Sequence, residues 1–479
     1  MTNNKNLKDQ RIGASAMLSL LKERNFCLLW AGEGISLLGD QFYLIALPWL
    51  VLQLTGDAFA MGSVLAVASI PRAFFILLGG VLTDRFSPRL VMLTSNLFRM
   101  ALVALLTLFV LTGMIKLWML YIFAFIFGLA DAFFYPASAA IVPQLVKDEQ
   151  LQAGNALIHG TAQLSVFAGP VLAGVLIGLL SGESTQIGML SEVGAFHQPS
   201  LLSTESANVP EMQGIGLSFA VDACTFLVSA IMLWLMSIRK PHQKSEKTGQ
   251  SMWLSIRTTL SSMWKDKTLR AFFFIVAAIN LLFNGPVTVG VPVLADTRFS
   301  EGAMAFGLLT SAFGGGSLLG TLLAAVLPRP APRRLGPMLL TIISLLGVGL
   351  ALLAFVSSTQ LAALVGLVTG TANGYVLVLF VTWLQARTPQ AMQGRMMSLL
   401  LFASLGLVPI SMALSGALIE MNANALFVGA GSLLTLTMLY FASNPAVQGM
   451  GLKKQFNIRT PILVRERTAQ KKKRRIHQK

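Results

Sequence analysis

The sequence predicts an all-α integral membrane protein whose twelve transmembrane helices form two pseudo-symmetric six-helix bundles. Of its 479 residues, 54% are hydrophobic and only 12% are charged, whereas about a quarter of the residues of a soluble protein are charged. The apolar residues also occur in long runs, and short motifs recur in the two halves of the chain. Together these observations indicate a bilayer environment and an internal duplication.

Twelve apolar runs are long enough to cross the roughly 30 Å hydrocarbon core of a bilayer as helices. The first six lie near residues 26–54, 58–82, 90–113, 117–146, 151–180 and 215–237. The second six lie near residues 270–295, 302–327, 335–356, 360–385, 394–420 and 424–443. We therefore expect an N-terminal bundle at 26–237 and a C-terminal bundle at 270–443, joined by a linker at 238–269.

Basic residues predict the orientation of these helices. Of the 36 lysine and arginine residues, 32 lie in the two tails and in the loops on the same side as the tails. The opposite loops contain only Lys116 and Arg298. Because basic loops stay on the cytoplasmic side, we expect a multi-pass protein of the plasma membrane with both tails, 1–25 and 444–479, in the cytoplasm.

Three segments outside the spans have distinctive compositions. Segment 181–214 contains four glutamates and no lysine or arginine, which predicts a disordered external insertion or, alternatively, a lid or partner-binding loop. The linker contains the amphipathic stretch MWLSIRTTLSSMW, which predicts a helix along the membrane face. The KKKRR run in the C-terminal tail predicts contact with anionic lipid headgroups. The net charge of +16 thus mostly reflects the orientation of the helices in the membrane, and we expect no nucleic-acid partner.

The sequence lacks the short motifs of common enzymes. A P-loop, an HExxH zinc motif and a GxSxG nucleophile motif are all absent from it. Its two cysteines, Cys27 and Cys224, lie in apolar runs and do not indicate a disulfide framework. We therefore expect no enzymatic activity, no cofactor and no metal, so that an intramembrane enzyme is the weakest hypothesis.

Two pairs of polar residues occupy matching places in the two halves. Aligning Pro48 with Pro292, 244 residues apart, places Asp40 on Asn284. The stretches GLADAFFYPA from residue 128 and GTANGYVLVL from residue 370 place Asp131 on Asn373, 242 residues apart. The similar offsets indicate a parallel duplication. The first copy carries titratable carboxyl groups, and the second carries amides that only hydrogen-bond.

The loop between the second and third spans contains a specific motif. Its sequence GGVLTDRFSPR places Gly80, Asp84, Arg85 and Arg89 in a pattern that resembles the signature loop of the major facilitator superfamily. That resemblance implies a cytoplasmic gate in which Asp84 faces the start of the eleventh helix, near Arg395. We assign Arg99 to the same gate as the structural partner of Asp84. A plain basic loop that only sets topology is the alternative.

Further stretches resemble one branch of that superfamily, which contains macrolide-efflux permeases and the enterobactin exporter. They are SLLGD at 36–40, FFYPASAAIVPQLV at 133–146, GPVLAG at 169–174 and VDACTFLVSA at 221–230. The resemblance implies export by alternating access. It also implies that the first, fourth, seventh and tenth helices line a central cavity, and those helices carry Asp40, Asp131, Asn284 and Asn373.

Ionisable residues within the spans are the remaining site candidates, since a charge at mid-membrane is costly and faces the protein interior. Glu33 and Asp40 lie seven residues apart on one helical face. Asp131 and Arg72 lie near mid-membrane, and Asp222 lies near the outer end of the sixth span. For Asp40 and Asp131 we favour a cavity function. For Asp222 we favour a structural role, and structural ion pairs with the arginines are the general alternative.

These residues favour a secondary exporter of amphiphilic small molecules, such as macrolides or other lipophilic drugs, driven by proton antiport and acting as a monomer. Buried carboxyl groups in an apolar cavity suit lipophilic cations. An exporter of an acidic siderophore or a lysolipid, anchored by Arg72, is the alternative within transport. A sensor or assembly protein that moves nothing is the alternative from another class.

Overall fold

Twelve long helices account for most of the residues that the structure describes. The computed structural model describes residues 19–85, 87–147, 150–180, 209–237, 264, 266–327, 330–388, 396, 399–401 and 403–448. Within them, the side chains of residues 76–85, 152, 209–211, 332 and 446 are not described. Most of the predicted amphipathic helix of the linker, most of the insertion and the basic tail beyond residue 448 therefore lie outside the described residues.

The first half of the chain forms six helices, all long and apolar enough to cross a membrane. They are α1 Arg24–Thr55, α2 Ala58–Arg85, α3 Pro88–Leu111, α4 Leu117–Leu145, α5 Leu151–Leu180 and α6 Val209–Leu235. Local signals explain the boundaries. α1 ends at Gly56, which adopts the left-handed conformation (φ 62°) and donates its N–H to Leu52. The side chain of Ser87 caps α3, and Pro88 follows at its first position.

The second half also forms six apolar helices of spanning length. They are α7 Lys267–Arg298, α8 Gly302–Val326, α9 Pro332–Leu352, α10 Thr359–Arg387, α11 Val408–Met421, which is the second part of the span Leu399–Met421, and α12 Ala423–Ala442. The short α13 Pro445–Gln448 follows. The described part of α7 is continuous but irregular, with a π-helical segment at Asn280–Asn284. This count of twelve spans confirms the predicted fold class.

The sixth helix begins earlier than the sixth span that the sequence predicts near residue 215. α6 begins at Val209, so residues 209–214 belong to the helix and not to the external insertion. Its first turn contains Pro210, Glu211 and Gln213, which suit a helix N-terminus but lower the local hydropathy. Consequently Asp222 lies at the middle of α6 and not near its outer end.

The two halves pack their helices in the same way. In each half the second helix packs on the fourth and the third on the sixth, as α2–α4 and α3–α6 match α8–α10 and α9–α12. At the α2–α4 contact Gly128 leaves no room for a Cβ against the Ala68 carbonyl, and at the α8–α10 contact Gly370 does the same against Phe313. Gly128 and Gly370 are the residues that the sequence alignment paired. The internal repeat is therefore a repeat of packing as well as of sequence.

The described contacts between the halves are concentrated toward one end of the bundle. We call the end where α1 begins and α12 ends the terminal end, and the other the opposite end. Helix α5 packs on α8 and α2 on α11, with close glycine pairs Gly174–Gly307 and Gly62–Gly416. All four glycines lie in the half of their helices nearest the opposite end. In the described part of the chain, the two halves are thus held together mainly at the opposite end.

Candidate functional site

A cluster of charged side chains lies inside the N-terminal half, with Asp131 of α4 at its centre. Nη1 of Arg99 donates to Asp131 Oδ1 at 2.8 Å, and Nη2 of Arg72 donates to the other carboxylate oxygen. Asp131 therefore meets two guanidinium groups, one from α3 and one from α2. Only 8% of its side chain is exposed. This arrangement is the structural ion pairing that the sequence left as an alternative for Asp131.

Aromatic rings and an amide complete the surroundings of Arg99. Its guanidinium lies 4.2 Å from the ring centre of Phe134 and 4.4 Å from that of Phe226, within cation–π distance. Its Nη2 donates to Asn96 Oδ1 at 2.5 Å, and Asn96 donates to the Ser229 hydroxyl at 2.9 Å. Arg99 thus joins α3, α4 and α6 deep in the bundle. Its described contacts belong to this cluster and not to the gate to which the sequence assigned it.

Asp40 of α1 is less firmly held than Asp131. Its Oδ1 lies 3.7 Å from Nη1 of Arg99, which is too far for a hydrogen bond. That oxygen is buried and has no hydrogen-bond partner among the described residues, although 24% of the side chain is exposed. Asp40 therefore faces a cation whose nearest nitrogen is already engaged by Asp131.

Two more acids flank the cluster. The hydroxyl of Ser138 donates to one oxygen of Glu33, and the other oxygen of Glu33 has no hydrogen-bond partner among the described residues. Asp222 is fully buried, and neither of its carboxyl oxygens has a hydrogen-bond partner there. Asp222 packs against Gly39, the residue before Asp40. The cluster thus combines four carboxyl groups with only two guanidinium groups.

A cavity of about 410 Å³ lies between the two halves. Its lining is mainly aliphatic and aromatic, with contributions from α1, α2, α4, α7, α8, α9, α10 and α11. The polar residues that line it are Gln41, Tyr43, Ser69, Arg72, Asn284, Thr288, Thr310 and Thr369. Arg72 connects this cavity to the charged cluster, whereas Asp40 and Asp131 are set back from its wall.

A second cavity of about 350 Å³ lies within the C-terminal half. It shares five residues with the first cavity, namely Phe283, Asn284, Val287, Thr288 and Phe313. Asn373 lines it, as do Asn280 and Ser404, two polar residues that sequence reasoning did not select. Asn280 could have been found, because it lies one helical turn before Asn284. The two cavities thus adjoin, with amides on the C-terminal side and the charged cluster on the N-terminal side.

Most of the predicted gate cannot be placed. The side chains of Gly80, Asp84 and Arg85, and all of Arg395, lie outside the described residues. The described gate residue Arg89 donates from Nε to the Leu233 carbonyl at 2.8 Å and from Nη2 to the Trp234 carbonyl at 2.7 Å. These carbonyls end α6, where a cation is favoured by the helix dipole. Arg89 thus ties the start of α3 to the end of α6.

Comparisons with known proteins agree with this architecture. The multidrug efflux pump Tap of Mycobacterium tuberculosis is 24% identical over 439 residues, covering 90% of this chain and 94% of Tap. Macrolide efflux protein A of Streptococcus pyogenes is 23% identical over 305 residues, covering 60% of this chain and 66% of that protein.

Solved structures show the same fold. The nucleoside transporter NupG has a TM-score of 0.64 at 15% identity, covering 90% of this chain and 99% of NupG. A bacterial homologue of the iron transporter ferroportin has a TM-score of 0.61 at 16% identity, covering 88% of this chain and 99% of that one. A model of the Major Facilitator Superfamily matches residues 29–410. The chain therefore belongs to the Major Facilitator Superfamily, and it is a multi-pass membrane transporter and not an enzyme.

Proposed function

We propose that this transporter is a secondary exporter of amphiphilic small molecules that exchanges its cargo for protons by alternating access. The observation that carries the proposal is the pairing of an apolar cavity between the halves with a buried cluster of four carboxyl groups and two guanidinium groups. A large apolar body fits the first cavity, and its hydrogen-bonding groups reach the amides of the second. The names of the relatives, a multidrug pump and a macrolide efflux protein, support this class of cargo.

The contacts between the halves support alternating access. The described hydrogen bonds that cross between them include those from Gln53 to Asp296, from Phe59 to Glu420, and between Ser311 and both Phe167 and Val171. All of them lie in the half of the bundle nearest the opposite end. If the terminal end is cytoplasmic, as the basic loops predict, this arrangement corresponds to an inward-facing state in which cargo enters from the cytoplasm.

Within the cluster, Asp40 is the best candidate for the exchanged proton. Asp131 is engaged by two guanidinium groups, so its charge is compensated in the state described. Asp40 is buried at one oxygen, lacks a hydrogen bond there, and shares its cation with Asp131. An uncompensated buried charge is unfavourable, so Asp40 can take up a proton and release it when cargo or water reaches it.

Transport driven by an imposed pH gradient tests the proposal. The purified chain is reconstituted in proteoliposomes, and uptake of erythromycin and of tetraphenylphosphonium, a lipophilic cation, is followed with and without the gradient. We expect the gradient to drive both cargoes in the natural chain. In Asp40→Asn it should drive neither, while exchange of labelled for unlabelled cargo persists. Glu23→Gln, which removes an exposed charge just before α1, is the control. Gradient-driven transport in Asp40→Asn would remove that residue from coupling.

The position of Arg72 supports the alternative cargo. Its side chain is 30% exposed and lines the first cavity, so it could contact an acidic siderophore or the phosphate of a lysolipid. The excess of carboxyl groups behind it favours cations instead. Loss of binding in Arg72→Gln but not in Asp40→Asn would support the acidic cargo. Absence of flux for every cargo in the natural chain would support the sensor hypothesis.

A further inference from the structure

Helix α1 carries a row of polar side chains on one of its sides. Glu33, Ser36, Asp40 and Tyr43 follow one another at intervals of three, four and three residues, which places them on the same side of a helix. The row extends for about 15 Å along the helix axis, which is about half the thickness of the hydrocarbon core. The next residue on this side after Tyr43 is Leu47, so the polar row ends at Tyr43.

Every member of the row has a buried polar atom without a hydrogen-bond partner among the described residues. These atoms are Oε2 of Glu33, Oγ of Ser36, Oδ1 of Asp40 and the hydroxyl oxygen of Tyr43. Ser36 is 1% exposed and Tyr43 is 3% exposed. Because buried polar groups nearly always bond to the protein or to ordered water, four successive exceptions on one side of a helix indicate that water bridges them.

Helix α4 covers the row within the N-terminal half. Ser138 donates to Glu33 at one end, and the ring of Phe127 stacks on that of Tyr43 at the other, with 4.0 Å between the ring centres. Ser138 and Phe127 lie 11 residues apart on α4, a length of about 16 Å that matches the row. Gly34, which contacts α5, lies on a different side of α1. The row is therefore enclosed in one half of the transporter.

The two ends of the row lie in different surroundings. Tyr43 and Leu47 line the first cavity, where the cargo is proposed to bind. Glu33 is the member nearest the terminal end, and Ser138, its hydrogen-bond donor, is only half-buried. Glu33 and Ser36 line neither cavity. The row thus leads from the first cavity toward the terminal end along a path that the cargo does not fill.

Charged groups from four other helices face the row. They are Arg72 of α2, Arg99 of α3, Asp131 of α4 and Asp222 of α6. Helix α5 also packs on α1, but its sequence contains no aspartate, glutamate, lysine or arginine, and its His159 is exposed. The two guanidinium groups balance two carboxylates, so the cluster is neutral when its other two carboxyl groups hold protons. Because uncompensated buried charge is unfavourable, the row has protons to carry.

We propose that this side of α1 is a proton pathway through the N-terminal half, in which water bridges Tyr43, Asp40, Ser36 and Glu33. The inference rests on the proposed function, since Asp40 is the residue that exchanges the proton. A proton enters from the first cavity at Tyr43, resides on Asp40, and leaves toward the terminal end through Ser36 and Glu33. Each hydroxyl accepts one proton and donates its own, so Ser36 and Tyr43 stay neutral. Proton and cargo thus take separate routes.

Removal of single hydroxyl groups tests the pathway. Ser36→Ala and Tyr43→Phe change no charge, and Tyr43→Phe keeps the ring that stacks on Phe127. In proteoliposomes of the full chain, tetraphenylphosphonium uptake driven by a pH gradient should fall at least about tenfold in each variant, because each loses a step of proton transfer. Exchange of labelled for unlabelled tetraphenylphosphonium needs no proton transfer and should stay within about twofold. Equal losses in both assays, or no loss in either, would overturn the proposal.

Two other variants control for the loss of a buried hydroxyl group. Ser218→Ala concerns a fully buried serine of α6 whose hydroxyl donates to the Gly214 carbonyl of its own helix at 3.0 Å. Tyr121→Phe concerns a tyrosine of α4 whose hydroxyl bonds to that of Ser63 at 2.6 Å. Neither residue belongs to the row, so gradient-driven uptake should keep its natural rate in both variants. A loss as large as that in Ser36→Ala would contradict the pathway.

Hydrogen–deuterium exchange tests the bridging water even if no cargo is transported. Cys27 and Cys224 are first replaced by serine, and Ser36→Cys or Ser218→Cys is added to give a single thiol. On transfer to D2O, infrared spectroscopy of the S–H band should show exchange at residue 36 at least about tenfold faster than at residue 218, because a thiol in a dry core exchanges only when the structure opens locally. Equal rates would overturn the pathway. Faster exchange at residue 36 in a chain without gradient-driven transport would instead contradict the proposed function.

Discussion

Arg99 and Asp131 form an ion pair of 2.8 Å between Nη1 and Oδ1, and the side chain of Arg99 is only 1% exposed. Two residues that are 32 positions apart in the sequence thus join α3 to α4. Because Arg72 also contacts Asp131, one carboxylate compensates two guanidinium groups, of which that of Arg99 is buried. Asp131 is consequently better placed to stabilise the N-terminal half than to release its charge during transport.

Replacing Asp131 by asparagine should therefore destabilise the protein more than replacing Asp40. The change leaves two guanidinium groups without their shared carboxylate, and loss of one partner of a buried pair costs about 3–5 kcal/mol. We expect a large drop in the thermal denaturation temperature of detergent-purified Asp131→Asn and a small one in Asp40→Asn. Equal denaturation temperatures for the two variants would mean that Asp131 is not the structural centre of the cluster.

The sequence predicted the twelve spans and the superfamily, and the structure and comparisons confirm both. Long apolar runs define membrane helices without knowledge of their neighbours, because the bilayer is a uniform solvent. The sequence also selected the charged residues of the cluster, since each is costly in a membrane span. It could not assign their partners, because Arg72, Arg99 and Asp131 come from three helices.

Two features could not be predicted from the sequence, and the reasons are physical. Asp222 was placed near a membrane surface because the polar first turn of α6 hid the true start of the helix. The π-helical segment of α7 ends where Gly285 N donates to the hydroxyl of Ser411 on α11, 126 residues further along the chain, and no local pattern indicates such a contact. Asn280, by contrast, could have been selected from the sequence, because it lies one helical turn before Asn284.

Gly128 should tolerate no side chain, because its Cα packs directly against the Ala68 carbonyl. A Cβ there would force α2 and α4 apart at the level of Arg72 and Asp131. We expect Gly128→Ala to lower the denaturation temperature and the transport rate together, as overpacking costs about 1–3 kcal/mol. Gly160→Ala on α5 is the matched control, because a Cβ at Gly160 meets nothing within 4 Å. Similar losses in both variants would contradict close packing as the cause.

Ser311 should stabilise the contact between the halves in the state described here. Its hydroxyl, on α8, donates to the Phe167 carbonyl at 2.6 Å and accepts from Val171 N at 2.9 Å, both on α5. Ser311→Ala removes both bonds across the halves, so it should shift the population toward the state that is open at the opposite end by about fivefold. Double electron–electron resonance between spin labels at Met114 and Phe355, both exposed at the opposite end, measures that shift. An unchanged distance distribution would mean that the two bonds are also present in the other state.

The pair Asp57 and Glu420 should make closure of the opposite end depend on pH. Glu420 Oε1 accepts from Phe59 N at 3.1 Å, and the side chains of Glu420 and Asp57 hydrogen-bond to each other across the halves. That bond, together with the N–H of Ala60, holds the pKa of Asp57 below its usual range. The ionised form of Asp57 therefore stabilises closure above its ordinary pKa, and this contribution is lost only as the pH falls through the lowered value.

Where Asp57 is ionised, its hydrogen bond with Glu420 forms only while Glu420 carries the proton. Raising the pH removes that proton and leaves two carboxylates facing each other, so the closed population should fall, by at most about fivefold for such an exposed pair. Glu420→Gln supplies a permanent donor and still accepts from Phe59 N, so its closed population should not vary with pH. Distances between spin labels at Met114 and Phe355 measure the closed population of the natural chain and of Glu420→Gln as a function of pH. If Glu420→Gln retains the pH dependence of the natural chain, the proton that controls closure resides on another group.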